Sequence, residues 1–295
     1  MKVLVFSLSL IFGLYSNACG QHTDQEEKQP VELSEISYTE QDAEIFADIL
    51  SRFKDDNEKP IATLIPEIGK YFIGNEYVAH TLEVNEEEKL IINLRELDCT
   101  TYAENLLALA RTLKSENQTF EQFAAEIKKI RYRDGKLNEY PSRLHYFSDW
   151  IYSNKESKLV NTPADSFGNP FPNKVSFMSS NPESYKHLSQ NPDFISTIKE
   201  QETEINNNNY FYLPKNKIAE YEHLLKEGDI IGLTTSIKGL DVAHVGILVE
   251  QEGKLHLLHA SQSNLKVEIS DEPITSFLKP DSKNTGIMIA RPVDI

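Results

Sequence analysis

Cys99 stands in Leu97-Asp98-Cys99-Thr100-Thr101-Tyr102, where a polar stretch gives way to an apolar-periodic run. The periodicity predicts a helix over Cys99–Lys114, with Leu106, Leu109, Ala110 and Leu113 on one stripe. The sulfur therefore belongs to the first turn. There it feels unpaired backbone N–H groups and the positive end of the helix dipole, and both favour thiolate over thiol. The chemistry expected is nucleophilic attack by sulfur, against the bland alternative of a buried, inert cysteine. A working thiolate needs a base, usually histidine, and a group that orients that base.

The sequence holds eight histidines. His22 precedes any periodic segment, His187 and His223 read as surface residues, and His80 falls on an early strand without a visible partner. The pair with suitable surroundings is His244 and His259, in Ala243-His244-Val245-Gly246-Ile247 and Leu258-His259-Ala260-Ser261. A two-residue turn at Glu252-Gly253 pairs Gln251 with Lys254 and places His259 opposite Gly246. Alternation then points His244 and His259 to one face as diagonal neighbours, with Gly246 leaving room between them. Val245, Ile247, Val249 and His256 point to the other face. A slip of one residue would separate the two rings. The structural alternative is a satisfied core histidine at each position. A metal site is not expected, because His256 faces away, there is no HExxH, and no second cysteine is available for zinc. No cofactor is expected either.

The elements that must position these residues follow in order. Thr39 to Asp55 predicts an amphipathic helix with capping-box spacing at Thr39 and Asp42, and a short helix is expected from Ile61 to Phe72 around Pro66. Val78–Val84 and Lys89–Leu94 read as strands joined by the acidic turn Asn85–Glu88. Phe120–Ile130 is another helix. From Arg131 to Asn209 the chain is polar, aromatic and broken by Pro and Gly. Short helices are expected there at Phe147–Lys155 and around Pro182–Leu188, with Asn206–Asn209 as an exposed loop. Strands follow at 229–234, 242–250, 254–261, 265–270 and 285–291, with a helix at Pro273–Leu278. Helices first and an antiparallel sheet second is an α+β layout.

The chain has 295 residues and a formal net charge of −16. Such an acidic chain is a poor binder of nucleic acid, which needs a basic surface, and charge alone would not hold it to an anionic membrane. Residues 1–18 read as an export signal: Lys2, then an apolar run from Val3 to Tyr15 that is shorter than the ~20 residues of a membrane span. Ala18-Cys19 is the junction of a lipoprotein signal, with Ser16 where Leu is more usual. Lipidation at Cys19 is expected, plain secretion and a retained anchor being the alternatives. Residues 19–36 read as a solvated, lipid-anchored tether and 37–295 as a single domain. The expected location is the periplasm, with the membrane engaged through the lipid only. Cys99 is then a lone thiol in an exported protein, where thiols usually find a disulfide partner. The residues do not give the oligomeric state, and a monomer is the expectation.

The Leu97–Thr101, Ala243–Ile247 and Leu258–Ser261 segments resemble the NlpC superfamily of papain-like cell-wall peptidases. Arg131-Tyr132-Arg133-Asp134-Gly135, Ser142-Arg143-Leu144-His145-Tyr146 with Asp149-Trp150, Ser176-Phe177-Met178-Ser179 and Gly239-Leu240-Asp241 narrow the resemblance. They point to the specialised N-acetylmuramoyl-L-alanine amidase branch found in bacterial envelope proteins, over about Ile61 to Pro292. The resemblance implies a papain-like α+β fold, with the Cys99 helix packed on an antiparallel sheet that carries the histidines. It implies hydrolysis of the amide between the lactyl group of N-acetylmuramic acid and L-alanine, with soluble 1,6-anhydro-muropeptides preferred. Cys99 would be the nucleophile, His244 the base and then the acid, and His259 the orienting residue, without a metal.

Within that frame the Cys99 N–H is the expected oxyanion donor, and Tyr102 either assists or simply packs. Arg143 is a candidate for bidentate binding of substrate carboxylates, with His145 beside it, and Tyr146 and Trp150 for stacking on a sugar face. The competing view makes Tyr146 and Trp150 core and Arg143 a structural ion pair. Asp241 either bonds near His244 or shapes the turn. Two other functions remain open: an endopeptidase cutting between D-glutamate and the diamino acid, and a non-catalytic envelope-binding lipoprotein. The co-occurrence of Cys99, His244 and His259 argues against the latter.

Overall fold

The computed structural model describes residues 32–295. The expected export signal, Cys19 and the tether up to residue 31 lie outside the described residues. At the other end of that tether, Leu33–Glu35 forms a 3-10 turn and Ile36–Ser37 pairs in parallel with Leu90–Ile91, with Ile36 buried. The folded body therefore starts slightly before residue 37.

The fold is α+β, with helices preceding an antiparallel sheet. Helix Glu40–Phe53 starts on the expected capping box: the Thr39 N–H donates to Asp42 Oδ2 at 2.8 Å. Helices Ile61–Tyr71, Cys99–Lys114 and Phe120–Arg131 follow. Every residue of the Cys99 helix from Thr101 to Leu113 is buried. A helix apolar on one stripe alone would show its polar face to water. Here that face is covered as well, because Glu104 is neutralised by Arg131 at 2.6 Å and Asn105 donates to Asn93 O.

Among the described residues the sheet has eight strands. Its central order runs Phe211–Pro214, Asn284–Pro292, Ile230–Thr235, Val242–Gln251, Lys254–Ser261 and Lys266–Pro273, all antiparallel. Val245, Ile247, Val249 and Leu258 pack toward the Cys99 helix in the main core, while Leu248 and Leu257 pack into a second cluster on the other face. The hairpin has the expected register, Gln251 with Lys254 through Ile247 with Leu258. Glu252 and Gly253 both have positive φ, 53° and 75°, which is the two-residue turn whose twist suits a tight hairpin.

Three expectations fail. Val78–Val84 is not a strand, and of Lys89–Leu94 only Leu90–Ile91 pairs. The alternating pattern is interrupted at His80, which adopts a left-handed conformation (φ 64°). The segment is held instead by side chains, Glu83 and Glu88 binding Arg143. Secondly, Pro192–Asn207 is a helix of 16 residues, not foreseen, which absorbs the start of the Asn206–Asn209 run. Its composition is polar and only Ile198, Glu202 and Ile205 are buried. The i, i+4, i+7 spacing of those three, after Pro192 at the first helical position, is the signal that was there to read. Thirdly, His187 is buried, stacked on Tyr140 at 4.8 Å, rather than on the surface.

Candidate active site

Asp98 caps the Cys99 helix. Its Oδ1 accepts from the N–H groups of Thr100 (3.0 Å) and Thr101 (2.7 Å), and the Thr101 hydroxyl closes the box onto the Asp98 N–H. The cap changes the expected electrostatics. Two of the N–H groups that would have favoured a thiolate are already satisfied, and a carboxylate sits beside the sulfur. Burial, then the Asp98 charge, push the Cys99 thiol up to about 11. The Val245 backbone N–H and the Thr100 hydroxyl act in the opposite direction and are outweighed. The resting group is a thiol, not the thiolate that helix position alone suggested. The cap does not use the Cys99 N–H.

The partner strand is bulged where it meets this helix. Leu233 pairs with His244 and Thr234 with Val242, so Ala243 is left over. Bulges of this kind re-aim neighbouring side chains. Alternation beyond the bulge puts His244 with Leu248, on the face away from the Cys99 helix, while Val245 faces the helix. Cys99 and His244 thus reach one pocket from the two sides of a strand end. Its volume is about 130 Å3, and Leu144, His145, Phe147 and Trp150 complete its wall. Among the described residues no sulfur–nitrogen hydrogen bond joins Cys99 to His244; the sulfur lies 4.0 Å from the Thr100 hydroxyl.

His244 and His259 do meet. His244 Nε2 and His259 Nδ1 are 2.7 Å apart, with the rings nearly perpendicular at 86°. With Nε2 so engaged, Nδ1 is the His244 nitrogen left for proton exchange. Gly246 between them has no room for a methyl group: a Cβ there would lie 2.5 Å from Leu257 and 3.1 Å from His259. Burial depresses both rings, His244 to about 3 with His259 adding to the effect, and His259 to about 4 against an opposing pull from Glu268. At neutral pH the trio is thiol, imidazole and imidazole. Among the described residues no group of three or more His, Cys, Asp or Glu side chains is arranged to hold a metal ion.

The remaining candidates separate from this centre. Arg143 does not reach the pocket. Its guanidinium binds Glu88 through two nitrogens (3.0 and 2.6 Å) and Glu83 through a third (3.0 Å), and lies over the Tyr140 ring. Tyr146 is buried, donating to Glu202 (2.7 Å) and accepting from the Met178 N–H (2.9 Å). Tyr102 is fully buried and donates to Gly69 O at 2.9 Å, so packing is its role and oxyanion binding is not. Asp241 lines the pocket, but its oxygens accept from the N–H groups of Ser148 (2.7 Å) and Val242 (2.8 Å). It therefore caps helix Phe147–Glu156 from a distance rather than bonding His244. His145 and Trp150 do line the pocket. The His145 ring donates from Nε2 to Tyr140 O and is held neutral, at about 3, by burial and by Arg143. Trp150 stacks on Phe147 at 5.4 Å. Asp98 and the bulge at Ala243 escaped the sequence reading. The Asp-x-x-Thr spacing was a legible sign of the first; the second had none, since a bulge depends on the neighbouring strand.

A family model described as AmiA-like, N-acetylmuramoyl-L-alanine amidase-like, matches residues 67–287. The search of curated proteins finds no match. Among solved structures, an N-acetylmuramoyl-L-alanine amidase from Bacteroides uniformis is 38% identical over 79% of this chain and 98% of that chain, with a TM-score of 0.75. A Bacteroides fragilis protein named as a xylanase is 39% identical over 76% of this chain and 98% of that chain, with a TM-score of 0.72. A Legionella pneumophila protein at 20% identity, covering 85% of this chain and 95% of that chain with a TM-score of 0.63, shares the fold. The helix-capped cysteine and the histidine hairpin both lie inside the matched span, and the chain belongs to the AmiA-like family of N-acetylmuramoyl-L-alanine amidase-like proteins.

Proposed function

We propose that this protein is a cysteine-dependent N-acetylmuramoyl-L-alanine amidase with a papain-like, NlpC-type catalytic centre. It acts on soluble 1,6-anhydro-muropeptides in cell-wall turnover, exported and held to the membrane by a lipid on Cys19. The observation that carries the reading is the 2.7 Å contact between His244 and His259 beside the pocket that Cys99 lines. A core histidine needs neither a second histidine nor an accessible thiol.

The neutral resting state sets the mechanism. His244 Nδ1 takes the Cys99 proton as the sulfur attacks the lactyl carbonyl carbon, and the C=O electron pair moves onto oxygen. The Cys99 N–H, which the Asp98 cap leaves unused, is the donor for that oxyanion. His259 stabilises the imidazolium through the Nδ1–Nε2 contact. When the oxyanion collapses, the C–N bond breaks and His244 returns the proton to the departing alanine amine. Water then attacks the thioester, giving one proton to His244. The C–S bond breaks, and the sulfur recovers that proton. Hydrogen bonds in free active sites commonly tighten on substrate binding, which fits the separation of Cys99 and His244.

A pocket of about 130 Å3 takes only the scissile amide and its immediate flanks. The sugar and the distal stem must lie across its rim. Arg143 is not the carboxylate clamp, so selection rests on shape and on the Trp150, Phe147 and His145 wall. Glycoside hydrolysis is disfavoured, since it ordinarily needs two carboxyl groups and the pocket offers Asp241 alone, bonded to amides.

Mass spectrometry of anhydro-muropeptides incubated with the mature protein tests this, beside Cys99→Ala. Release of the intact stem peptide by the wild type alone supports the amidase reading. Cleavage between D-glutamate and the diamino acid transfers the protein to the endopeptidase class, and no turnover by either form sinks the proposal.

A further inference from the structure

His259 has a second side. Its Nδ1 meets His244, yet the residue does not line the Cys99 pocket. It lines a separate cavity of about 280 Å3 between strand Lys266–Pro273 and the helix at Ile274–Phe277. The residue is 5% exposed, and among the described residues its Nε2 has no hydrogen-bond partner. Glu268 lies directly opposite His259 on the adjacent strand, so both side chains share a face, and both line that cavity. The Glu268 carboxylate is 18% exposed and fixed by Asn264, whose side-chain amide donates to it at 2.6 Å.

We propose that Glu268 is a positioning residue for the thiol chemistry, acting through His259 and the cavity they share. This rests on the proposed cysteine mechanism. The reason lies in proton placement. Two arrangements satisfy the 2.7 Å histidine contact. In one, His259 carries its proton on Nε2, accepts at Nδ1 from His244 Nε2–H, and leaves His244 Nδ1 free to take the thiol proton. In the other, His259 donates from Nδ1, the His244 proton moves to Nδ1, and the base is disabled. A carboxylate facing His259 across the shared cavity favours the first, by attracting a proton to Nε2 rather than Nδ1. It also stabilises the positive charge that His244 and His259 share once the sulfur has lost its proton.

The groups facing His259 are His244 from its own hairpin, Glu268 with Lys266 from the next strand, and Asp271, Glu272 and Lys279 around the cavity. Of these, Glu268 is the one in direct register, and its charge favours protonation of the ring.

The test is the rate of Cys99 alkylation by iodoacetamide against pH, read by mass spectrometry on the full chain. Glu268→Gln keeps the shape and the Asn264 contact but removes the charge. Alkylation near pH 7 should slow by about tenfold, the size of one pKa unit, because the thiolate–imidazolium pair is less populated. The high-pH limb, where the thiolate forms without a protonated His244, should stay in place, because the charge that opposes it there is that of Asp98. Glu268→Asp should recover most of the neutral-pH rate, and Asp271→Asn, an equal loss of charge at the cavity rim, should leave the profile in place. Unchanged alkylation in Glu268→Gln overturns the proposal, as does an equal effect in Asp271→Asn. If Glu268→Gln does not fold, Asn264→Ala releases the same carboxylate and should shift the profile in the same direction; no shift overturns the proposal. Alkylation uses no muropeptide, so a wrong substrate assignment would leave the shift intact. With anhydro-muropeptides as substrate, Glu268→Gln should lower kcat and leave KM.

Discussion

Two regions of the molecule carry polar side chains of similar promise and use them in opposite ways. The Cys99 helix and the His244–His259 hairpin turn theirs toward cavities, Cys99 and His244 into one and His259 into another. The stretch from Arg131 to Asn209 consumes almost all of its own. Arg133 binds Asp149 at 2.6 Å, Arg143 binds Glu83 and Glu88, and Glu202 takes the hydroxyls of both Tyr146 and Ser179. The Gly239 carbonyl accepts from the N–H groups of Ser176 and Phe177. These contacts join the irregular segment to the end of the His244 strand and hold Phe147 and Trp150 as a wall. A loop-rich region lacks ladder hydrogen bonds, so its side chains must supply the order. Motifs that look like a ligand clamp are then the scaffold's own fastenings.

The comparison breaks most decisively at Cys99. Cys99→Ala should cost at least about 10^4-fold in turnover, as loss of a nucleophile does elsewhere, with little change in Tm. A thermal melt beside the muropeptide assay checks both halves, and a large loss of stability would place Cys99 in the scaffold.

Arg143 should behave in reverse. Arg143→Ala leaves Glu83 and Glu88 facing each other without their cation, which typically costs ~3–5 kcal/mol of stability. Chemical denaturation reads this. A raised KM with unchanged stability would instead make Arg143 a substrate ligand.

Gly246→Ala sharpens the boundary between the two regions. The added methyl meets Leu257 at 2.5 Å and crowds His259, an overpacking cost of ~1–3 kcal/mol. Turnover should fall further than stability accounts for, because the ring that orients His244 is displaced. Equal loss in Gly246→Ala and in an overpacked variant distant from the site would remove the distinction.

The comparison also has a pH dependence. His145, His244 and His259 are held neutral in the folded state at about 3, 3 and 4, against an ordinary 6.5. Below 6.5 the unfolded chain binds the extra protons, so stability is present above that value and is lost as pH falls toward 3. Cys99 acts at the other end: its raised value favours the folded state until pH passes 9, and that contribution is lost as pH rises toward 11. Tm measured from pH 7.5 down to 4 should decline, and His145→Gln should flatten the decline. A flat profile in the wild type would mean that the three rings are not desolvated as described.

The sequence located the Cys99 helix, the hairpin and its register, because capping signals and the periods of helix and strand are local. Leu106, Leu109 and Leu113 recur at helical spacing whatever lies opposite them, and Glu252-Gly253 sets the pairing of its own two strands. Within that hairpin His244 and His259 could be put side by side from residue numbers alone. The protonation state of Cys99, the commitment of Arg143 to Glu83 and Glu88, the capping role of Asp241 and the bulge at Ala243 were decided only by tertiary structure. Each depends on which distant surfaces meet and how much water they exclude, and Arg143 finds Glu88 across 55 residues of chain. Desolvation and long-range pairing leave no period in a sequence, which is why a thiolate read from helix position became, in the folded protein, a half-buried thiol beside an aspartate.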